Sequence, residues 1–325
     1  MDLDLVFLGT AGSAPTASRG ASATLIRRGG DRLLVDCGEG TQRQLLRSDA
    51  GLSDLEEVFL THLHADHVLG LPGMLKTFAL RGRDLPITVY GPPGTAGLLR
   101  SLAIVIGRLT YPLSVVELRP GDVLERGEYA IAPFAVAHGQ TAVGYALREA
   151  PRPGRFDVDA ADAVGVPHGP ARGALQRGEP VEVDGRVVRP EQVLGPARRG
   201  RTVVITGDTA PSDSVVDAAA GADVLVHEAT FLGDEADRAR ETDHSTAAEA
   251  AAVARGANVR LLALTHLSAR YAGTEVLEEA TAVFERTVVP RDFDLIEVPL
   301  PERGEPELVE RGGRRPRRHD VGSSA

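Results

Sequence analysis

Short runs rich in Val, Ile and Leu alternate along the chain with alanine-rich stretches of helical period, and glycines or polar residues separate them. This alternation predicts an α/β protein. Candidate strands are DLVFLGT, ATLIRR, RLLVDCG, EEVFLTH, PITVYG, YAIAPFAVAH, VGYALRE, RTVVITGD, DVLVHEA, RLLALTH and FDLIEVPL. Many are apolar on both faces, as strands are when helices cover their sheet. Helices are expected near Gly40–Arg47, His67–Arg81, Thr95–Gly107, Ser212–Ala220, Ser245–Ala254 and Gly273–Phe284. Ser245 or Thr246 can cap its helix, with Glu249 spaced for a capping box.

From about Pro151 to Arg201 sustained periodicity gives way to Gly, Pro, Arg and Asp. A stretch this long without a regular pattern, inside a compact domain, reads as an inserted arm. From Pro301 onward the composition again turns polar and reads as a tail, with Arg311, Arg314, Arg315, Arg317 and Arg318 near its end. The expected organisation is therefore a domain over residues 1–300, an arm inserted at about 151–199, and a disordered tail over 301–325.

Composition narrows the classes. The 325 residues suffice to bury a sizeable core, and 42% hydrophobic with 25% charged residues describes an ordinary globular protein. No apolar run approaches the ~18 residues of a membrane span. The acidic start MDLDLVFLGT lacks the basic flank of a signal peptide, so the cytoplasm is the expected location. A net charge of −10 argues against a protein that coats nucleic acid indiscriminately. Residues 148–201 depart from that average, with ten arginines against eight acidic residues. The single cysteine, Cys37, excludes an intramolecular disulfide and a cysteine-rich metal site, and reads as a small buried apolar residue. Any metal must be held by His, Asp or Glu.

Five candidate strands end alike: an apolar run stops and a histidine or acid follows, in EEVFLTHLHADH, FAVAHG, VVITGDT, VLVHEAT and LLALTHL. In α/β architectures the rim of the sheet is where distant side chains converge on a ligand. Of nine histidines, His62, His64, His67, His138, His227 and His266 lie at or just past such ends, His244 follows in a loop, and only His168 and His319 lie elsewhere. A lone strand-end histidine is usually a satisfied core or surface residue. H-x-H-x-D-H is different, because it packs four metal-competent side chains into six positions. Alternation in an extended segment suits His62 and His64 to one metal, while Asp66 and His67 turn toward a second. Two such sites need about six to eight ligands, and His138, Asp208 and His266 complete the count. A carboxylate such as Asp208 can bridge two metals; as a bland alternative, it could cap the helix after Pro211. LGTAGSAPT lacks the lysine of a phosphate-binding Walker loop and reads as a glycine-rich turn at the rim.

THLHADH is the shared signature of metallo-β-lactamase-fold hydrolases, and its continuation THLHADHVLGLPGML resembles the ribonuclease Z family of tRNA 3′-processing endoribonucleases. VFLGTAGSAPT, LLVDCGEGTQRQLL, HGPARGALQRGEPVEVDGRVV, ITGDT, the HEAT run His227–Thr230, the HST run His244–Thr246 and LTHLSARY extend the likeness over roughly residues 3–271. The resemblance implies a four-layer αββα metallo-β-lactamase fold with an inserted flexible arm. It implies two zinc ions per subunit, one on His62, His64 and His138, the other on Asp66, His67 and His266, with Asp208 bridging; manganese or iron also suits such donors. Asp66 is further implied to orient the nucleophile, and His244, oriented by Glu228, to protonate the leaving oxygen. The substrate implied is precursor tRNA, gripped by an arm whose Gly-Pro motif is Gly169 and Pro170, with Arg172 and Arg177 nearby. The short form of the family is a homodimer, which carries over as an implication. One departure stands out: the family loop Pro-x-Lys-x-Arg-Asn is here Pro15, Thr16, Ala17, Ser18, Arg19, Gly20, without the lysine and asparagine.

Two other functions fit parts of the sequence. A phosphodiesterase of the same superfamily acting on small or cyclic diesters needs the metals but has no use for the arm. A metal- or RNA-binding module without catalysis has no use for an acid–base pair such as His244 and Glu228.

Overall fold

The computed structural model describes residues 1–310 except Ser53 and Gln140. In chain order the strands are Leu3–Gly9 (β1), Ala23–Arg28 (β2), Asp31–Val35 (β3), Glu57–Phe59 (β4), Ile87–Gly91 (β5), Leu113–Glu117 (β6), Leu124–Glu125 (β7), Tyr129–Ala135 (β8) and Val143–Glu149 (β9). There follow Val181–Val183 (β10), Arg186–Val188 (β11), Thr202–Ile205 (β12), Val224–Glu228 (β13), Leu262–Thr265 (β14), Thr287–Val288 (β15), Leu295–Glu297 (β16) and Glu307–Val309 (β17). One sheet has the order β17-β16-β1-β2-β3-β4-β5-β6 and the other β15-β14-β13-β12-β9-β8-β7. The helices are Thr41–Arg47 (α1), Ala65–Val68 (α2), Gly70–Leu80 (α3), Thr95–Ile106 (α4), Val158–Ala163 (α5), Pro170–Gln176 (α6), Asp213–Ala218 (α7), Ala236–Glu241 (α8), Ala247–Gly256 (α9) and Gly273–Thr281 (α10).

The period-two alternation of a strand builds the layers. In β1, Leu3, Leu5 and Phe7 face the second sheet, while Val6 and Leu8 face the core under α1, α3 and α4. In β12, Val203 and Ile205 face the first sheet, and Val204 faces α7, α9 and α10. The result is four layers, αββα. Helix α9 shows why the outer layer sits close: Ala247, Ala250, Ala251 and Ala254 recur on one buried face at helical spacing. Its start is the expected capping box, with Thr246 as the cap and Glu249 accepting the Thr246 amide. Between the sheets, Phe59 stacks on Tyr90 with centroids 4.6 Å apart and meets Tyr145 edge-on, and the Tyr145 hydroxyl donates to the Leu60 carbonyl at 2.8 Å. That packing anchors the end of β4, from which Thr61 and the histidine cluster follow. Truncating Phe59 to Ala costs about 3–5 kcal/mol.

Three expectations need correction. The helix expected over His67–Arg81 starts at Ala65 and is split at Leu69 into α2 and α3. Pro72, at the third position of α3, has no N–H to offer the Val68 carbonyl, so the hydrogen-bond ladder lapses there. The stretch over 151–199 is not patternless: α5, α6 and the β10–β11 hairpin pack around Ala161, Val166, Leu175, Val188 and Val193. Its helices span only six and seven residues, too short for a 3.6-residue period to show in sequence. The stretch taken as tail does not begin at Pro301. Glu307–Val309 pairs with β16 and closes the edge of the first sheet. The arginine cluster from Arg311 to Arg318 lies outside the described residues. Among the described residues, no helix is long and apolar enough to cross a membrane.

Candidate metal centre

Strands β3 and β4 run parallel with Val35 opposite Phe59, and β12, β13 and β14 run parallel with Ile205 opposite Val226 and Glu228 opposite Thr265. Their C-terminal ends therefore finish side by side on one rim. Asp36 follows β3, His62 follows β4, Asp208 follows β12, Glu228 ends β13 and His266 follows β14. His138 reaches the same rim although β8 stops at Ala135, because the Ala210 amide donates to the Ala137 carbonyl at 2.9 Å and ties the two loops together. The one-turn helix α2, capped at His64, swings Asp66 and His67 inward. Gly207 has φ +65, and a Cβ there would lie 2.7 Å from Thr61, so only glycine lets the Asp208 loop approach the histidine cluster.

The side chains gather into two overlapping groups. His62, His64, His138 and Asp208 form one, and Asp66, His67, Asp208 and His266 the other, with candidate donor atoms within 4.8 Å of one another in each. Asp208 belongs to both: its Oδ2 is 3.6 Å from His62 Nε2, 3.4 Å from His67 Nε2, 4.0 Å from His138 Nε2 and 3.4 Å from His266 Nε2. His64 lies at the exposed mouth, Asp66 is half-buried, and the other five are buried. A third group joins Glu228, His244 and His266, with His244 Nδ1 at 2.7 Å from Glu228 Oε1.

Local electrostatics explain why imidazoles can crowd here. Burial and the neighbouring His67 push His62 down to about 2, so its ring is neutral with a lone pair to give. Burial and His138 lower His64 as well. For Asp208, burial disfavours the charge, but His266 and His67 outweigh it and hold the carboxyl well below its ordinary range. Burial likewise opposes charge on His67, and Asp208 and Asp36 reverse that, holding it well above its ordinary value. Asp66 sits at about 2, the hydrogen bond to His266 overcoming desolvation.

These residues fit metal ions. Among the described residues, His62 Nε2, His67 Nε2 and Asp208 Oδ1 are buried without a hydrogen-bond partner. Each such atom ordinarily costs about 1–3 kcal/mol. Three of them across two groups joined by Asp208 are ligand atoms that cations would satisfy. Outer partners hold the rings in place: Asp36 Oδ2 is 2.7 Å from His67 Nδ1, the Asp243 carbonyl accepts from His138 Nδ1 at 2.9 Å, and Thr230 Oγ1 meets His266 Nδ1 at 2.9 Å. The Thr230 hydroxyl in turn donates to Glu228 Oε2 at 2.5 Å.

Sequence reasoning missed Asp36, Thr230 and the Ser13 amide, which donates to Asp66 Oδ2 at 3.0 Å. LLVDCG carries the same strand-end signal as the five counted runs and could have revealed Asp36. His227, at one of those ends, is not drawn in: strand alternation turns it away from the face that presents Glu228, and its Nδ1 bonds the Glu228 carbonyl. Asp208 does not cap the helix after Pro211, where Ser212 takes that place. Cys37 is buried as expected. In the arm, Gly169 precedes α6 with φ 107, and Pro170 takes the first helical position. Arg172 is buried, paired with Asp162 and donating to the Val166 carbonyl, whereas Arg177 is exposed beside Glu179.

Four αββα layers with a His/Asp rim between the two sheets define a metallo-β-lactamase-fold protein. The metallo-β-lactamase-fold protein YhfI of Bacillus subtilis shares that fold, with a TM-score of 0.67 at 22% identity over 91% of this chain and all of the other. A family profile described as Anti-Pycsar protein Apyc1 matches residues 3–100. Ribonuclease Z of Haloferax volcanii is 50% identical over 92% of this chain and 96% of its own, and that of Gemmatimonas aurantiaca is 49% identical over 93% and 98%. The human tRNase Z, short form, superposes with a TM-score of 0.67 at 27% identity, over 91% of this chain and 99% of that one. The chain belongs to the ribonuclease Z family.

Proposed function

We propose that the protein is a metal-dependent endoribonuclease that removes the 3′ trailer from precursor tRNA, leaving a 3′-hydroxyl on the tRNA and a 5′-phosphate on the trailer. The observation that carries this reading is the pair of His/Asp groups sharing Asp208, set beside the Glu228–His244 pair. His62, His64 and His138 would hold one zinc ion and Asp66, His67 and His266 the other, with Asp208 belonging to both groups. Two such ions, when bound, make water a nucleophile near neutral pH and offset the phosphodiester's charge.

The remaining chemistry belongs to side chains. Asp66 orients the attacking water and accepts its proton. His244, as an imidazolium, donates a hydrogen bond from Nδ1–H to the Glu228 carboxylate, which orients the ring, and delivers the proton on Nε2 to the departing ribose O3′. Glu228 is itself buried and steadied by the Thr209 amide at 2.9 Å and by Thr230. The arm over residues 151–199, with Gly169, Pro170, Arg172 and Arg177, binds the tRNA body away from the cleaved bond. Exposed Arg155, Arg177, Arg186 and Arg189 supply its attraction for phosphate.

The protein acts as a homodimer, as the resemblance implies, and works in the cytoplasm. Exposed Leu46, Leu69, Leu80, Ile104 and Val105 on the helices over the first sheet support such an interface. Sedimentation of the purified chain tests it, and a monomer at micromolar concentration would count against it.

The direct test is incubation with a trailer-bearing precursor tRNA, with and without chelator, followed by end-group analysis. Absence of cleavage by fully metal-loaded protein sinks the proposal. Asp66→Ala should abolish turnover while leaving the fold intact. Deleting the arm should abolish tRNA cleavage but spare hydrolysis of a small aryl phosphodiester, whereas a phosphodiesterase for small or cyclic diesters would keep its natural activity.

A further inference from the structure

The arm joins the body through a two-stranded neck. Arg152 and Arg198 exchange both backbone hydrogen bonds, at 2.8 and 2.9 Å, and further out the Gly195 amide donates to the Arg155 carbonyl and the Asp157 amide to the Val193 carbonyl. At Gly154 the strands approach so closely that a Cβ would lie 1.9 Å from the Gly195 oxygen. Among the described residues, the side-chain hydrogen bonds and ion pairs of residues 153–197 stay within the arm and its root. A two-stranded ribbon bends and twists readily, so whatever restrains its root sets where the arm's tip lies.

That restraint comes from the other sheet. Glu302 lies in the turn between β16 and β17, on the edge of the first sheet, whereas the arm leaves and rejoins the second sheet between β9 and β12. Arg152 grips both Glu302 carboxylate oxygens, Nη1 to Oε1 at 2.9 Å and Nη2 to Oε2 at 2.8 Å, and Arg198 Nη1 reaches Oε1 at 3.0 Å. Arg198 Nε also donates to the Pro153 carbonyl at 3.0 Å, so both strands of the neck are engaged. A bidentate arginine fork holds orientation as well as distance, and the second arginine makes it a network rather than a lone surface pair.

We infer that Glu302 is a positioning residue for tRNA: by clamping Arg152 and Arg198 it fixes the arm's pose relative to the two sheets, and so favours precursor tRNA over small diesters. The inference rests on the reading of residues 151–199 as the tRNA-binding arm. It concerns binding and leaves the chemistry alone, because Glu302 touches none of the rim residues.

The test is Glu302→Gln, measured on precursor tRNA and on an aryl phosphodiester. Loss of the clamp raises KM for the tRNA about two- to fivefold, the range that a surface ion-pair network commands, with kcat and aryl-diester hydrolysis unchanged. The sign is diagnostic. Removing a negative charge near bound RNA tightens binding if charge alone matters, so an unchanged or lower KM overturns the inference. A second readout needs no catalysis: spin labels at Glu182→Cys in the arm and Glu125→Cys in the body report their distance distribution, with Cys37 too buried to be labelled. Glu302→Gln should broaden that distribution, and an unaltered one counts against the clamp. Deleting the arm separates the two levels. If deletion leaves tRNA cleavage unchanged, the arm reading fails and the clamp with it; if deletion abolishes tRNA cleavage and Glu302→Gln leaves KM unchanged, only the clamp fails.

Discussion

Replacing Asp36 by Asn should disable half of the metal centre without removing a ligand. Asp36 Oδ2 lies 2.7 Å from His67 Nδ1, and Oδ1 accepts the Thr61 amide at 2.8 Å. The carboxylate keeps a proton on His67 Nδ1 and leaves Nε2 facing Asp208 as the nitrogen for the metal. Asparagine has one accepting oxygen. If that oxygen keeps the Thr61 amide, the new NH2 group confronts His67 Nδ1, and the ring relieves the clash by moving its proton to Nε2. Volume is nearly unchanged, so no cavity adds to the effect. Loss of such an outer partner lowers metal affinity about 10- to 100-fold, roughly 1.4–2.7 kcal/mol. Competition for zinc against a chromophoric chelator measures it directly, and excess zinc should restore part of the activity. An affinity within twofold of the parent protein would refute the reasoning.

Three further outcomes follow from the same geometry. Asp208 and Asp36 hold metal-free His67 protonated against the cost of burial, so a proton must leave as metal binds; calorimetry in buffers of different ionisation heat should show proton release at neutral pH, with affinity falling as the pH is lowered, and no release would contradict it. Burial lowers the pKa of His244, but Glu228 outweighs that and raises it, so the acid form persists below the raised pKa and is lost as pH rises through it. Glu228→Gln should therefore shift the alkaline limb of tRNA cleavage to lower pH, and His244→Ala should slow cleavage about 10²- to 10⁴-fold while affecting a good aryl leaving group far less; an unmoved limb or equal losses would argue against the proton-donor role. Thr230→Val leaves His266 Nδ1 and Glu228 Oε2 short of a partner and should cost about 1–3 kcal/mol in denaturant melts of chelated protein. Thr230→Ser should recover most of that loss, and no difference between the two variants would place the stabilisation elsewhere.

Much of the centre was legible because its densest part is local. His62, His64, Asp66 and His67 fall within six positions, and their spacing alone shows two directions of approach. The strand ends pointed to His138, Asp208 and His266 because an apolar run that stops at a polar residue marks a sheet rim. The partners that orient the rings were harder to see. Asp36 meets His67 across 31 positions and Thr230 meets His266 across 36, and an ordinary Asp or Thr in sequence does not announce which ring it will face. The arm's core escaped notice for another reason: its elements are shorter than two helical turns.

The sequence by itself determined the alternating pattern that makes four layers, the Thr246–Glu249 cap, the choice of His and carboxylate donors, and the family likeness. All are set by neighbours within a few residues, where backbone geometry has a fixed period. Tertiary structure decided which strand-end residues share a centre, why Glu228 enters it and His227 does not, and how Glu307–Val309 closes a sheet edge. It also decided that Glu302 on one sheet meets the root of an arm carried by the other. Those outcomes depend on the registry of distant strands, which the packing of the two sheets fixes only once the whole chain has folded.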